Sequence, residues 1–264
     1  MKILVAIKQV PDKNARLQID ESGTRIVETD LSWEINESDR YAVETALRLK
    51  EARGDGEVVV VTLGPERARK AISSALAMGA DRGIHLVDPD FQGGDPLCVA
   101  RALAAVTRAE DAPLVLCGTR ADDDGYGETP ILLAGLLDRP AVFLTIGVEP
   151  LDGDRLRVVR ELEAARQEVS EIPLPAVLGI QSGIFDVRFT SLKGIMAAKK
   201  KPVSQPTPTE LGLSAEQIGK AGRRLEVLSL APPEKKGQCE FIEGKPEEVA
   251  ATLVEKLRRE AKVL

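Results

Sequence analysis

The sequence predicts an α/β protein: a doubly wound, mostly parallel sheet with an antiparallel excursion and an extended C-terminal arm. Three observations carry this expectation. Apolar, β-branched runs alternate with helical patterns over the first half of the 264 residues. Those runs are almost continuously apolar, as strands covered on both faces must be. After Pro140 the alternation gives way to extended segments separated by turn signals, and after residue 184 to a charged, proline-rich stretch.

The elements follow in order. Residues 3–10, 58–63, 84–87 and 114–117 read as strands. Between them, 38–53 reads as a helix with Ser38 as its N-cap and Ala42, Ala46 and Leu49 on its apolar face. A second helix, 65–78, opens on proline and stops at Gly79. Two more, 96–108 and 130–137, also open on proline, which suits the first helical turn. Strands alternating with helices imply right-handed crossovers and a ligand outside the strand carboxyl ends. Residues 142–148, 156–162 and 177–180 read as extended, with Asp152-Gly-Asp154 as a turn between the first two. The expected domain spans 1–184. Residues 185–264 carry Pro202, Pro206, Pro208, Pro232 and Pro233 and are too irregular for a core of their own. The last pattern, 246–262, places Val249, Leu253 and Leu257 on one helical stripe that needs a cover. That favours an arm laid on a partner over a disordered tail.

Composition excludes several classes. The net charge of −6 argues against general nucleic-acid binding, and no aromatic residue is interleaved with the basic run Lys199, Lys200 and Lys201. No stretch is long and apolar enough for membrane insertion. The first residues read as a strand rather than a targeting segment, and the three separated cysteines as reduced thiols, so a cytoplasmic protein is expected. No metal-ligand spacing and no catalytic constellation are visible. His85, the single histidine, Cys117 and Trp33 read as packing residues.

Two segments carry possible function. The first is Gly118-Thr-Arg-Ala-Asp-Asp-Asp-Gly-Tyr-Gly-Glu-Thr-Pro130, which follows a strand and opens a helix. Gly125 and Gly127 allow close backbone approach, and the helix start offers free N–H groups to a phosphate. Glycines in an acidic, capped turn would look the same. The three carboxylates Asp122 to Asp124 suit phosphate only if they turn away from it. The second segment is Thr190-Ser-Leu-Lys-Gly-Ile-Met-Ala-Ala-Lys-Lys-Lys201. As a helix it puts Leu192, Ile195 and Met196 on one face, edged by positive charge, which suits docking on an acidic partner. A short helix packed on its own core is the plainer reading.

Six words in order give the chain a family resemblance. They are Lys2-Ile-Leu-Val-Ala-Ile-Lys-Gln-Val10, Ile35-Asn-Glu-Ser-Asp-Arg-Tyr-Ala-Val-Glu-Thr-Ala-Leu-Arg-Leu-Lys50, Ala75-Leu-Ala-Met-Gly-Ala-Asp-Arg-Gly-Ile-His85, the 118–129 loop, Leu174-Pro-Ala-Val177 and the 192–201 segment. Over nearly its whole length the chain resembles the β subunit of electron-transfer flavoproteins.

The resemblance implies an adenine-nucleotide-binding fold that holds AMP as a structural group. The matching positions are Ala6, Asn36, Glu37, Ser38, Asp39, Leu63, Gly118, Ala121, Asp123, Asp124 and Thr129, with Gly125, Tyr126, Gly127 and Glu128 in the loop between. It implies an obligate α subunit holding FAD, one wall of whose site comes from this chain and over which the arm wraps. It further implies an electron carrier rather than an enzyme. Electrons would come from flavin dehydrogenases of the acyl-CoA dehydrogenase type, in fatty acid oxidation, and leave to a membrane quinone reductase. Leu192, Ile195, Met196, Lys199, Lys200 and Lys201 match the dehydrogenase-docking segment. Two departures stand out. The family's acidic-Gly-Gly-x-Glu pattern reads Glu163-Ala-Ala-Arg-Gln-Glu168 here, and Lys13 replaces a tyrosine found beside the flavin in some members. An electron-bifurcating member, with a second FAD in place of AMP and NADH as donor, is the alternative subtype.

Overall fold

The computed structural model describes residues 1–233 and 239–264. Its strands are β1 (Lys2–Ala6), β2 (Gln9–Pro11), β3 (Trp33–Ile35), β4 (Glu57–Leu63), β5 (Arg82–Leu86), β6 (Leu114–Gly118), β7 (Ala141–Leu151), β8 (Arg155–Glu161), β9 (Gln167–Pro173), β10 (Ala176–Ile180) and β11 (Val203–Ser204). The α-helices are α1 (Glu37–Arg53), α2 (Arg69–Met78), α3 (Pro96–Ala109), α4 (Thr129–Leu137), α5 (Leu192–Ala198), α6 (Gly219–Gly222) and α7 (Pro246–Arg259).

The main sheet has nine strands in the order β11-β5-β4-β1-β6-β10-β7-β8-β9. It is parallel from β11 to β7, and β8 and β9 continue it antiparallel. Its centre, β5-β4-β1-β6-β10, is the 3-2-1-4-5 order of doubly wound nucleotide-binding sheets. The apolar runs are strands because both faces are covered. Ile3, Val5, Val58 and Val60 meet α1 and α2 on one side. Leu4, Val59, Val61 and Val115 meet α3 and α4 on the other. The direction of winding reverses between β1 and β6, where sheets of this kind have their ligand crevice, at the carboxyl ends of the strands.

Several local readings change. The first run, 3–10, is two strands: β1 stops at Ala6, and Gln9–Pro11 pairs antiparallel with Trp33–Ile35 in a separate small sheet. Asn36 occupies the N-cap position of α1, so Ser38 lies inside the first turn, where its hydroxyl donates to the Arg120 carbonyl at 2.9 Å. The second helix begins as a 3-10 turn, Glu66–Ala68, before α2 starts at Arg69. Strand β9 has no counterpart in the sequence reading.

Two compact units are distinguished, one of residues 1–18 and 26–228, the other of 19–25 and 229–264. The boundary expected at 184/185 therefore falls inside the first unit. There, β11 extends the sheet by pairing with β5. Residues Ala198 and Ile218 are buried. Asp95 also accepts the Arg224 and Leu225 N–H groups. In the second unit, Leu230 donates to the Gly23 carbonyl at 2.7 Å, and α7 has no buried residue.

Chain 185–191 is tied to α1 by Arg188. Its guanidinium donates to both oxygens of Glu44 and both of Glu51 at 2.7–3.1 Å. Burial opposes the Glu44 charge, but Arg188 and Arg48 outweigh it and hold its carboxyl below the ordinary range. Glu44 is only 1% exposed, so losing Arg188 leaves a buried carboxylate short of donors. Arg188→Met is expected to destabilise by about 1–3 kcal/mol at neutral pH. A depressed carboxyl pKa stabilises above the unfolded value and ceases to do so as pH falls through the folded one. The deficit should therefore shrink below about pH 4.5. Melting curves of variant and wild type at neutral and acid pH check both points.

Candidate functional site

The crevice between β1 and β6 is organised around Asp39, in the first turn of α1. Its Oδ2 accepts the Lys8 N–H at 2.7 Å and its Oδ1 accepts the Gly118 N–H at 2.9 Å. One carboxyl thus joins the ends of two neighbouring strands. Burial pushes it up to about 7, against the pull of those N–H bonds, of Asn36 and of the Lys8 charge. Gly118 must be glycine, since a Cβ there would run into Asp39 Oδ1 and Ser38 Oγ.

From Gly118 the chain turns into the loop that leads to α4. Asn36 holds its beginning from both sides, donating to the Arg120 carbonyl and accepting the Asp122 N–H, each at 2.9 Å. Gly125 and Gly127 take φ values of 67° and 66°, which bend the backbone as only glycine does readily. Among the described residues, no acceptor meets the N–H groups of Gly127, Glu128 or Thr129, and no side chain caps the start of α4. The positive end of that helix dipole therefore faces the loop with free donors, an arrangement suited to an anion.

The carboxylates of the acidic run have partners of their own. Asp122 accepts the Glu37 N–H at 3.2 Å. Asp123 and Asp124 each take the Lys8 ammonium at 2.7 Å. Burial works against the Lys8 charge, but the two carboxylates outweigh it and raise its pKa. Lys8 thus offsets one of the three carboxylate charges and lessens, without cancelling, their repulsion of a phosphate. Ala6 and Leu63 end β1 and β4 in the same row of carboxyl ends, with Ala6 in register with Val61 and Cys117. The positions that the resemblance implies for a nucleotide lie at the ends of β1, β4 and β6, the start of α1 and the loop into α4, with Ala121 leading into the turn and Tyr126 45% exposed on it. Lys8 is the participant that the sequence reading missed. A lone cation inside the apolar run read as the first strand was its only signal.

Other expectations take definite form. His85 is fully buried, with Nε2 at 3.1 Å from the Gly64 carbonyl. Burial, with the Asp39 charge adding to it, pushes the Cys117 thiol up. Trp33 is stacked by the Arg67 guanidinium at 3.4 Å from the ring centre. Lys13 pairs with Glu37 at 2.6 Å and lines a cleft with Asp12, Asn14, Glu34 and Arg40. Ala164 and Ala165, which replace the glycine pair, form the tip of the β8–β9 hairpin at φ 58° and 56°. Left-handed alanines cost roughly 1–2 kcal/mol each. Glu168 lies beyond them on β9, paired with Arg160 at 3.0 Å.

The 190–201 segment does fold into a helix. Ser191 caps α5 through the Gly194 N–H at 3.0 Å, and the helix backbone at Gly194 lies so close to the Ala77 carbonyl that a Cβ would not fit. This seats α5 on α2 by its small residues. Leu192, Ile195 and Met196 stay 83%, 43% and 63% exposed, and Phe189 beside them is fully exposed. The own-core reading is thus overturned for these three side chains. Lys199 and Lys200 are exposed too, but Lys201 leaves the cluster. Its ammonium donates to the Leu76 and Ala80 carbonyls at 3.0 and 2.6 Å and so caps the end of α2.

A mostly parallel sheet that reverses its winding, with free N–H donors at the reversal point, places the chain in the doubly wound α/β class. Comparison with known proteins narrows this. The profile of the electron transfer flavoprotein domain matches residues 23–211. The chain is 36% identical over 257 residues to the electron transfer flavoprotein subunit beta of Methylophilus methylotrophus, covering 97% of both chains. It is 36% identical to that of Homo sapiens, over 88% of this chain and 89% of the relative. The subunit of Bacillus subtilis is 34% identical over the full length of both. This chain belongs to the electron transfer flavoprotein beta-subunit family. It is accordingly an electron-carrier subunit with an alpha-subunit partner. Among the described residues, no helix is long and apolar enough to cross a membrane, and no group of side chains could hold a metal ion.

Proposed function

We propose that the chain binds AMP as a structural group in the β1–β6 crevice, while forming one wall of the FAD site of its alpha subunit. The observation that carries this reading is the run of free N–H groups at Gly127, Glu128 and Thr129 at the start of α4. An AMP phosphate satisfies them, and Asn36–Asp39, Ala6 and Leu63 border the space for the nucleoside. FAD supplies the electron chemistry of the heterodimer. This chain contributes the surface: Leu192, Ile195, Met196 and Phe189 present an apolar anchor to flavin dehydrogenases, with Lys199 and Lys200 beside it. Dehydrogenases of the acyl-CoA type hand electrons in, and a membrane quinone reductase takes them out. The exposed stripe of α7, with Leu253 at 46% and Val254 at 44%, together with Phe241 at 84%, is an apolar surface for the alpha subunit to cover. The protein works in the cytoplasm.

Gly125→Val tests the nucleotide site. A β-branched residue at φ 67° forces the turn to change shape. AMP content should fall well below one per heterodimer while FAD in the alpha subunit is retained. Chromatography of the denatured protein reads both, and full AMP occupancy in the variant would sink the assignment.

A further inference from the structure

We propose that Lys8 is a positioning residue for the nucleotide: its ammonium clasps the Asp123–Asp124 turn, and opening of that clasp is the route by which nucleotide leaves. The inference rests on the AMP reading above. It comes from the unequal way in which the two halves of the loop are held.

The first half is fastened to α1. The Arg120 carbonyl accepts from both Asn36 and Ser38, the Asp122 N–H donates to Asn36, and the Asp122 carboxylate accepts the Glu37 N–H. Asn36 and Ser38 are buried, so this end is fixed. The second half is held otherwise. Among the described residues, the hydrogen bonds from Asp123 to Glu128 that reach outside the loop and α4 are those of Lys8 to Asp123 and Asp124. The remaining ones are local: Asp124 N–H to Asp123, Tyr126 N–H to Asp124 and Gly125 N–H to the Ala121 carbonyl. Two left-handed glycines, Gly125 and Gly127, follow the clasped pair. They let the backbone swing there, next to the free N–H groups that meet the phosphate.

Lys8 is well placed for this task. Its own N–H is bonded to Asp39, the carboxylate that also holds Gly118, so the clasp springs from the point where the two strand ends are tied together. The ion pairs themselves are partly exposed, with side chains 40%, 27% and 39% accessible. Pairs of that kind are individually weak and screened by salt, which makes a tie that opens readily. The segment it releases is the one carrying the phosphate donors.

The test uses the co-expressed heterodimer with its FAD, loaded with radiolabelled AMP and chased with excess unlabelled AMP at several salt concentrations. Lys8→Met should release AMP about 2–30-fold faster at low salt, the range that two such pairs supply. Asp123→Asn with Asp124→Asn should match it in size, and Lys8→Arg should stay close to wild type. Wild-type release should quicken with salt, and release from the two neutralised proteins should not. Unchanged FAD absorbance and melting temperature exclude a folding defect. Equal release rates in wild type and Lys8→Met overturn the clasp. So does slower release from the double asparagine variant, because Lys8 would then act as a direct counter-charge that the carboxylates had been sequestering. A wild-type heterodimer that takes up no AMP overturns the nucleotide reading and the clasp together.

Discussion

Leu192→Ala is expected to weaken the encounter with a flavin dehydrogenase by about 10–150-fold. Burying a leucine side chain on a partner contributes roughly 1.5–3 kcal/mol, and about 1.4 kcal/mol is a tenfold change. Leu192 is 83% exposed, so nearly all of its area is available to be covered. It is also held ready: the Ser191 cap and the contact of α5 with the Ala77 carbonyl fix the helix on α2, so little ordering is needed on binding. The flavin spectrum should not change, since the substitution removes only surface. Neutralising Lys199 and Lys200 should instead slow association, by a factor that shrinks as salt rises. Lys201→Met should act on stability, because its ammonium caps α2 rather than facing solvent. The measurement is the rate of dehydrogenase-dependent flavin reduction at subsaturating carrier. A wild-type rate for Leu192→Ala would make this apolar face an ordinary surface.

Gly118→Ala should be the most damaging single methyl group in the crevice. The added Cβ would meet Asp39 Oδ1 and Ser38 Oγ and lie 2.9 Å from the Asp39 backbone nitrogen. Side chains alone could turn aside, but the start of α1 cannot. Overpacking of this kind costs about 1–3 kcal/mol. It should also separate Asp39 from the Gly118 N–H and displace the loop that follows. We expect a lower melting temperature together with loss of bound AMP. Gly135→Ala is the control, for nothing lies within 4 Å of a Cβ there. Equal behaviour of the two variants would contradict the proposed role of close packing at Gly118.

The sequence made the parallel sheet legible because its strands are buried on both faces, and continuous apolarity such as Val58-Val-Val-Val-Thr62 leaves little ambiguity. Strand β9 escaped notice for the opposite reason. It is an edge strand whose residues are mostly exposed, so Gln167-Glu-Val-Ser-Glu-Ile carries no strong apolar rhythm. The break between β1 and β2 was hidden because Ile7, which lies between the two strands, and Val10, in β2, are both buried, so the apolar run continues across it. At the crevice, the glycines and the start of α4 could be read from local chemistry. Lys8 and the orientation of the acidic run could not, because each depends on a contact across more than a hundred residues. The same holds for Lys201, which looks like its two neighbours in sequence and differs only in what tertiary structure places beside it.

The identity of the bound nucleotide can be read directly. The heterodimer, co-expressed with its alpha subunit and purified without added nucleotide, is denatured and its released cofactors are quantified by chromatography and mass spectrometry. A single FAD and a single AMP per heterodimer is the predicted result. Two FAD and no AMP would contradict it, and would make the β1–β6 crevice a second flavin site.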